Sequence, residues 1–190
     1  MKYFKKLVGD RIYLSPRNSQ DVEIFTKWLN DFQVTDYTGR SGMITTLEGE
    51  KQYLEQTESE EKRQFVIVTL DKDEMMGTVG LERINYINRH ATLGVFIGEE
   101  AYRNGGYGTE AINMILDYGF NYLNLNSIQL DVFAFNERAI ACYKKCGFKE
   151  MGRRRQATFV NGKYYDTIQM DILKEEFKQA GKEYIRNKNV

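Results

Sequence analysis

The sequence is short of several things that would point to a function at once. It has a single histidine, His90, and two cysteines, Cys142 and Cys146, among 190 residues. A cysteine–histidine zinc site lacks ligands, so no metal is expected. Two cysteines are too few for a disulfide scaffold, and a reduced, cytoplasmic setting is the simplest expectation. Proline occurs once, at Pro16. No apolar run approaches the ~20 residues of a membrane span. The first residues carry positive charge but not the apolar stretch of a secretory signal. An excess of one charge is also missing, because 27 basic residues balance 27 acidic ones. The overall basic footprint of a duplex-binding protein is absent, so neither nucleic acid nor membrane is expected as a partner.

What is present reads as an ordinary globular mix, 42% hydrophobic and 28% charged. The length favours one domain, expected over residues 10–173, with a charged helical tail over 174–190. A strand-like segment, Arg11 to Ser15, ends at Pro16. Val22, Phe25, Leu29 and Phe32 fall at helical spacing. Thr45 with Glu48 reads as a capping box opening a second helix to about residue 60. Strands follow at Phe65 to Leu70, Met75 to Leu81 and Ala91 to Ile97. A long helix carries Ile112, Leu116, Phe120 and Leu123 on one face. A strand from Ser127 to Phe133 precedes a helix from Asn136 to Cys146, which Gly147 ends. Asn161-Gly162 signals a tight hairpin, and Ile168, Met170 and Ile172 alternate after it. The order β-α-α-β-β-β-α-β-α-β-β-α implies a mixed α/β sheet with helices on both faces.

Between the third of those strands and the long helix lies Arg103-Asn104-Gly105-Gly106-Tyr107-Gly108. Glycines at 106 and 108 permit backbone angles closed to other residues and leave room for N–H groups to converge on an anion. The helix that starts there adds its positive end, and Arg103 adds a charge suited to phosphate oxygens. A Walker loop would need a lysine after the glycines, where Thr109 and Glu110 stand. A dinucleotide fingerprint would have its third glycine replaced by Ala111, and it would sit in the first strand–helix unit rather than here. By itself the loop is equally a plain glycine turn before a helix.

A second segment, residues 130–148, begins on a strand. Asn136 reads as an N-cap and Tyr143, two turns on, as a core aromatic. Together the two segments resemble the GNAT acetyltransferase superfamily. That family has Arg or Gln followed by two residues, Gly, one residue and Gly, matched by Arg103, Gly106 and Gly108. Its second motif, NxxAxxxYxxxGF, is matched by Asn136, Ala139, Tyr143, Gly147 and Phe148. The resemblance covers roughly residues 10–172. It implies a mixed, mostly antiparallel sheet of six or seven strands, splayed between the family's fourth and fifth strands.

It further implies an acetyl-CoA cosubstrate. The loop from Arg103 through Asn104, Gly105, Gly106, Tyr107 and Gly108 to Thr109 would hold the pyrophosphate. Pantetheine would pair with the strand near Val95, Phe96 and Ile97, and Asn136 and Ala139 would face it. Tyr143 would protonate the leaving thiolate. An amine would attack the acetyl carbonyl directly, through a tetrahedral intermediate. A carboxylate would serve as general base through water, and Asp131, Glu82 and Glu99 are the candidates. Asp131 stands where ribosomal-protein alanine acetyltransferases carry a glutamate. A covalent cysteine route is disfavoured, and Cys142 and Cys146 read as packing residues.

The acceptor is expected to be a protein N-terminus or small amine, shaped by residues 19–60 with Trp28, Tyr37, Arg40 and Tyr53. Residues 35–43 read as a flexible cover over the cleft. Residues 117–126 and 160–166 also resemble bacterial spermidine acetyltransferases, but Asp36 is the only acid between 35 and 46, thin for a polycation. Aminoglycosides are a third option. A non-catalytic acyl-CoA sensor and a nucleotide-binding protein are the readings from other classes. A homodimer is compatible with all of these.

Overall fold

The β-rich runs pair side by side. In the computed structural model, which describes residues 2–55 and 60–179, eight strands form one sheet in the order β1-β2-β3-β4-β5-β6-β8-β7. They are β1 (Leu7–Val8), β2 (Ile12–Pro16), β3 (Arg63–Thr69), β4 (Met75–Asn85), β5 (His90–Ile97), β6 (Ser127–Phe133), β7 (Lys149–Val160) and β8 (Lys163–Leu173). The strand beyond the expected six or seven is β1, too short for alternation to reveal. Every neighbouring pair is antiparallel except β5 and β6. That parallel step needs a crossover, supplied by α4 (Tyr107–Asp117) and a π-helical turn, Tyr118–Tyr122.

Both faces of β3 are covered, which explains its unbroken apolar run. Val66 and Val68 pack with Phe25, Trp28, Val34 and Leu54 of α1 (Val22–Leu29), α2 (Phe32–Thr35) and α3 (Leu47–Glu55). Phe65 and Ile67 belong to the opposite core, with Ile112 and Ile115 of α4. The same core holds Tyr143 and Cys146 and, from α6 (Lys174–Gln179), Phe177. Each fully buried Ile or Leu contributes about 1.5–3 kcal/mol of transfer free energy.

Several boundaries differ from the sequence reading. The capping box at Thr45 and Glu48 does not form; Thr46 caps α3 instead, its Oγ1 accepting from the Gly49 N–H at 3.1 Å. Thr45 is drawn aside by Asn30, which bonds both its N–H and its carbonyl. The rest of that expected helix, residues 56–59, and the tail after Gln179 lie outside the described residues. The Asn161-Gly162 turn forms as expected, with φ of 46° and 77° and Val160 paired to Lys163.

Candidate active site

Between β5 and β6 the sheet comes apart. The two strands pair only at His90–Ser127, Ala91–Ile128 and Thr92–Gln129. Beyond that, β5 stays with β4 as far as Ile97, while β6 stays with β8 as far as Phe133. The side of β5 that faces β6 has no strand partner from Leu93 to Ile97. A cavity of about 730 Å³ occupies the gap and is lined from both faces of the sheet. Val95, Phe96 and Ile97 lie along it, as does Gly94, which sequence reasoning missed. A Cβ at Gly94 would meet nothing within 4 Å, so this stretch of the slot stays open.

The glycine loop closes one end. Gly106 caps α4 with φ of 81°, a conformation that favours glycine. The first intrahelical bond of α4 runs from the Glu110 N–H to the Gly106 carbonyl at 3.1 Å. The N–H groups of residues 106–109 precede it and have no intrahelical acceptor. A Cβ at Gly108 would meet nothing within 4 Å, so a bulky anion can approach the backbone there. Gly108 does not take positive φ, contrary to expectation; its contribution is space. Asn104, Tyr107 and Thr109 also line the cavity, whereas Gly105 does not.

Arg103 lines the cavity too, but its guanidinium donates to the carbonyls of Gly98 at 2.7 Å and Ile97 at 3.3 Å. It therefore also braces the end of β5. Arg11 is a second basic residue at the loop that sequence reasoning did not find. It donates to the Gly105 carbonyl at 2.9 Å, pairs with Glu110 at 3.0 Å, and lies over the Tyr107 ring at 4.4 Å. Glu110 in turn accepts from the backbone N–H groups of Asp10 and Arg11, both at 2.8 Å. With about a hundred residues between these partners, no local pattern marks them.

The second helix, α5 (Glu137–Lys145), supplies the wall opposite. Asn136 is its N-cap, with the side chain accepting from the Ala139 N–H at 3.2 Å, and both residues line the cavity. Tyr143 follows on the same face and is 9% exposed. Burial, with Cys142 and Cys146 nearby, pushes its hydroxyl well above the ordinary tyrosine value, so it stays protonated at neutral pH. The two cysteines differ from each other. Cys146 is buried in the core, as expected. Cys142 is half-buried on the cavity wall, 3.2 Å from Thr109 Oγ1. Its thiol is held below the ordinary value, chiefly by hydrogen bonding from Cys146.

The carboxylates separate. Glu82 lines the cavity and accepts a hydrogen bond from the Gln64 amide. Its register partner is Thr92, which sits opposite Gln129, so Glu82 stands level with the point where the strands part. Asp131 flanks the gap from β6, but Arg154 holds it in an ion pair at 3.1 Å and it remains 47% exposed. Glu99 is removed from the site: it accepts from Trp28 Nε1 at 2.9 Å and faces Lys27 at 3.6 Å, away from this cavity. Trp28 is likewise no part of the acceptor cleft; it is 2% exposed and packed between Phe25 and Phe96. Tyr37, Arg40 and Tyr53 do line the cavity, joined by Arg17, Glu50 and Gln64. Of residues 35–43, Tyr37, Thr38 and Arg40 line this end, with Tyr37 against the Phe135 ring at 5.7 Å. Among the described residues no cluster of three metal-ligating side chains occurs, and no helix is long and apolar enough to cross a membrane.

A splayed sheet with a helix N-terminus at one end of the split is the architecture of an acyl-CoA-dependent transferase. The acetyltransferase (GNAT) domain family matches residues 11–149, and the chain belongs to that family. It is similar to a spermidine N(1)-acetyltransferase of Escherichia coli, 30% identical over 166 residues, 87% of this chain and 88% of the relative. The Vibrio cholerae counterpart is 38% identical over 116 residues, 61% of this chain and 66% of the relative. A crystal structure of the spermidine N-acetyltransferase from Vibrio cholerae in complex with CoA and spermine superposes with a TM-score of 0.82. That match is 28% identical and covers 88% of this chain and 98% of the other. The chain is an acetyl-CoA-dependent N-acetyltransferase.

Proposed function

We propose that this enzyme transfers the acetyl group directly to the primary amine of a small molecule or peptide N-terminus, with the amine approaching from the α1–α3 side. The observation that carries this reading is the continuity of the cavity, from the N-terminus of α4 through the split sheet to Glu82, Gln64 and Tyr53. The N–H groups of residues 106–109 hold the pyrophosphate, and the open edge of β5 bonds the pantetheine amides. A backbone N–H of that edge steadies the oxyanion as the amine attacks. Tyr143 gives its proton to the departing thiolate. Glu82 takes the proton from the acceptor ammonium, through water, before attack. Asp131 is the weaker candidate for that step because Arg154 already occupies it.

A polyamine acceptor is the second reading, supported by the spermidine N-acetyltransferases among the relatives. A polycation needs several carboxylates, and this end of the cavity instead sets both Arg17 and Arg40 to act on the one carboxylate of Glu50. The test is a screen of peptides, polyamines and aminoglycosides for release of CoA thiol. Binding of acetyl-CoA without turnover of any amine would leave only a sensor; tighter binding of ATP or NAD than of acetyl-CoA would overturn the assignment of the loop.

A further inference from the structure

The far end of the cavity has a charge arrangement that the transfer chemistry does not use. Arg17 follows β2, which pairs with β3 up to Pro16–Phe65; Gln64 is the next residue of β3 in that direction. Gln64 pairs with Gly80 on β4, and Glu82, two residues on, pairs with Thr92 on β5. One line across the sheet therefore runs from Arg17 through Gln64 and Glu82 to the split, three strand spacings or about 14 Å. Its two ends differ in sign. Near the split stand the Glu82 carboxylate and the Gln64 Oε1, a buried oxygen without a hydrogen-bond partner.

At the other end stands Arg17, and Arg40 lines the same cavity and, like Arg17, acts on the charge of Glu50. The Arg17 guanidinium lies 5.5 Å from the Phe25 ring centre and 5.7 Å from that of Tyr53, and its Nε is buried with no hydrogen-bond partner. Among the described residues neither arginine has an ion-pair partner within 4.0 Å. Both act on the charge of Glu50, which is 4% exposed, and burial raises its carboxyl despite the two arginines. A buried donor left without an acceptor is costly, and an anion between two guanidiniums removes that cost.

We propose that Arg17 and Arg40 form a subsite for an anionic group, so that the acceptor is a primary amine carrying a carboxylate at its other end. Arginine side chains span part of the 14 Å, which leaves room for an amine and a carboxylate separated by roughly four to eight carbons, or the length of a short acidic peptide. The inference rests on the acetyl-transfer reading and opposes a polyamine acceptor, whose second ammonium would meet the two arginines.

The test compares three matched series as acceptors: ω-aminocarboxylates, alkylamines and α,ω-diamines of equal chain length, with acetyl-CoA and thiol release as the readout. The aminocarboxylates should exceed the alkylamines in kcat/KM by roughly ten-fold or more, and the diamines should fall below both. Arg17→Gln and, separately, Arg40→Gln should bring the ratio of aminocarboxylate to alkylamine towards one through KM, with Arg17→Lys restoring part of it. Arg40 is exposed, so its variant reports on the subsite even if Arg17→Gln perturbs packing. Equal use of the three series, or preference for diamines, overturns the anionic subsite and leaves acetyl transfer standing. Turnover of no amine by a protein that binds acetyl-CoA overturns the transfer reading and this inference with it.

Discussion

The two ends of the cavity are built by different means. The proposed cosubstrate end comes from three short stretches, 93–97, 103–109 and 136–143, and much of what it offers is backbone: the N–H groups of a helix start and the bare edge of β5. The proposed acceptor end draws single side chains from the residue after β2, the loop after α2, α3, β3 and β4. Backbone groups are fixed by the fold and tolerate sequence change, provided that no side chain fills the space. Side-chain groups are exchanged one residue at a time. On the proposed reading, the backbone end keeps the same cosubstrate while a few substitutions at the other end would change the acceptor.

The largest effect is expected at Gly108. Gly108→Val places a branched side chain in the open space over the α4 N-terminus, and acetyl-CoA affinity should fall about 100-fold, close to 2.7 kcal/mol, by calorimetry. An unchanged affinity would mean that the anion does not sit on that backbone. Tyr143→Phe should lower kcat by roughly 100-fold while leaving acetyl-CoA affinity within about two-fold, the mark of a proton donor. Because burial raises the Tyr143 hydroxyl above its ordinary value, the protonated donor persists on the alkaline side. The rate of the native enzyme should therefore show no loss from this group below pH ~10.

At the proposed acceptor end, Glu82→Gln should reduce kcat/KM about ten-fold, read by release of CoA thiol. Asp131→Asn should cost less than about three-fold, since Arg154 already engages that carboxylate. The reverse order would move the base to β6. The smallest effect is on the joint between loop and sheet. Glu110→Ala leaves the Asp10 and Arg11 N–H groups without their acceptor and should lower unfolding free energy by about 1–3 kcal/mol, read by chemical denaturation. A null result there would show that the loop stands without its brace.

The contrast also explains what could be read in the chain. Gly106, Asn136, Ala139 and Tyr143 belong to contiguous patterns tied to a strand–turn–helix geometry, and they line one cavity. The succession of elements along the chain was legible for a similar reason, because alternation and the Asn161-Gly162 turn act over neighbouring residues; the order of strands in the sheet depends on distant pairings and was not. Arg11, Arg17 and Gln64 gave no local sign, since each acquires its role only through partners brought close by the sheet. Glu99 and Trp28 misled for the opposite reason: their chemistry suits a site, but each satisfies the other away from this cavity. Thr46 displaced Thr45 as a cap because Asn30, fifteen residues earlier, bonds Thr45.

The three-pair contact between β5 and β6 has a thermodynamic side. A sheet unzipped along one seam lacks most of the ladder that joins its halves, so local opening is easier there than between the fully paired central strands. A molecule that bridges the two strands binds the folded chain and not the unfolded one, and it raises stability by RT ln(1 + [L]/Kd), about 2.7 kcal/mol at a hundred-fold excess over Kd. The melting temperature of this protein should then report the supply of its own cosubstrate. A cell running low on acetyl-CoA would hold an enzyme that is not only idle but softer, and more readily unfolded and degraded.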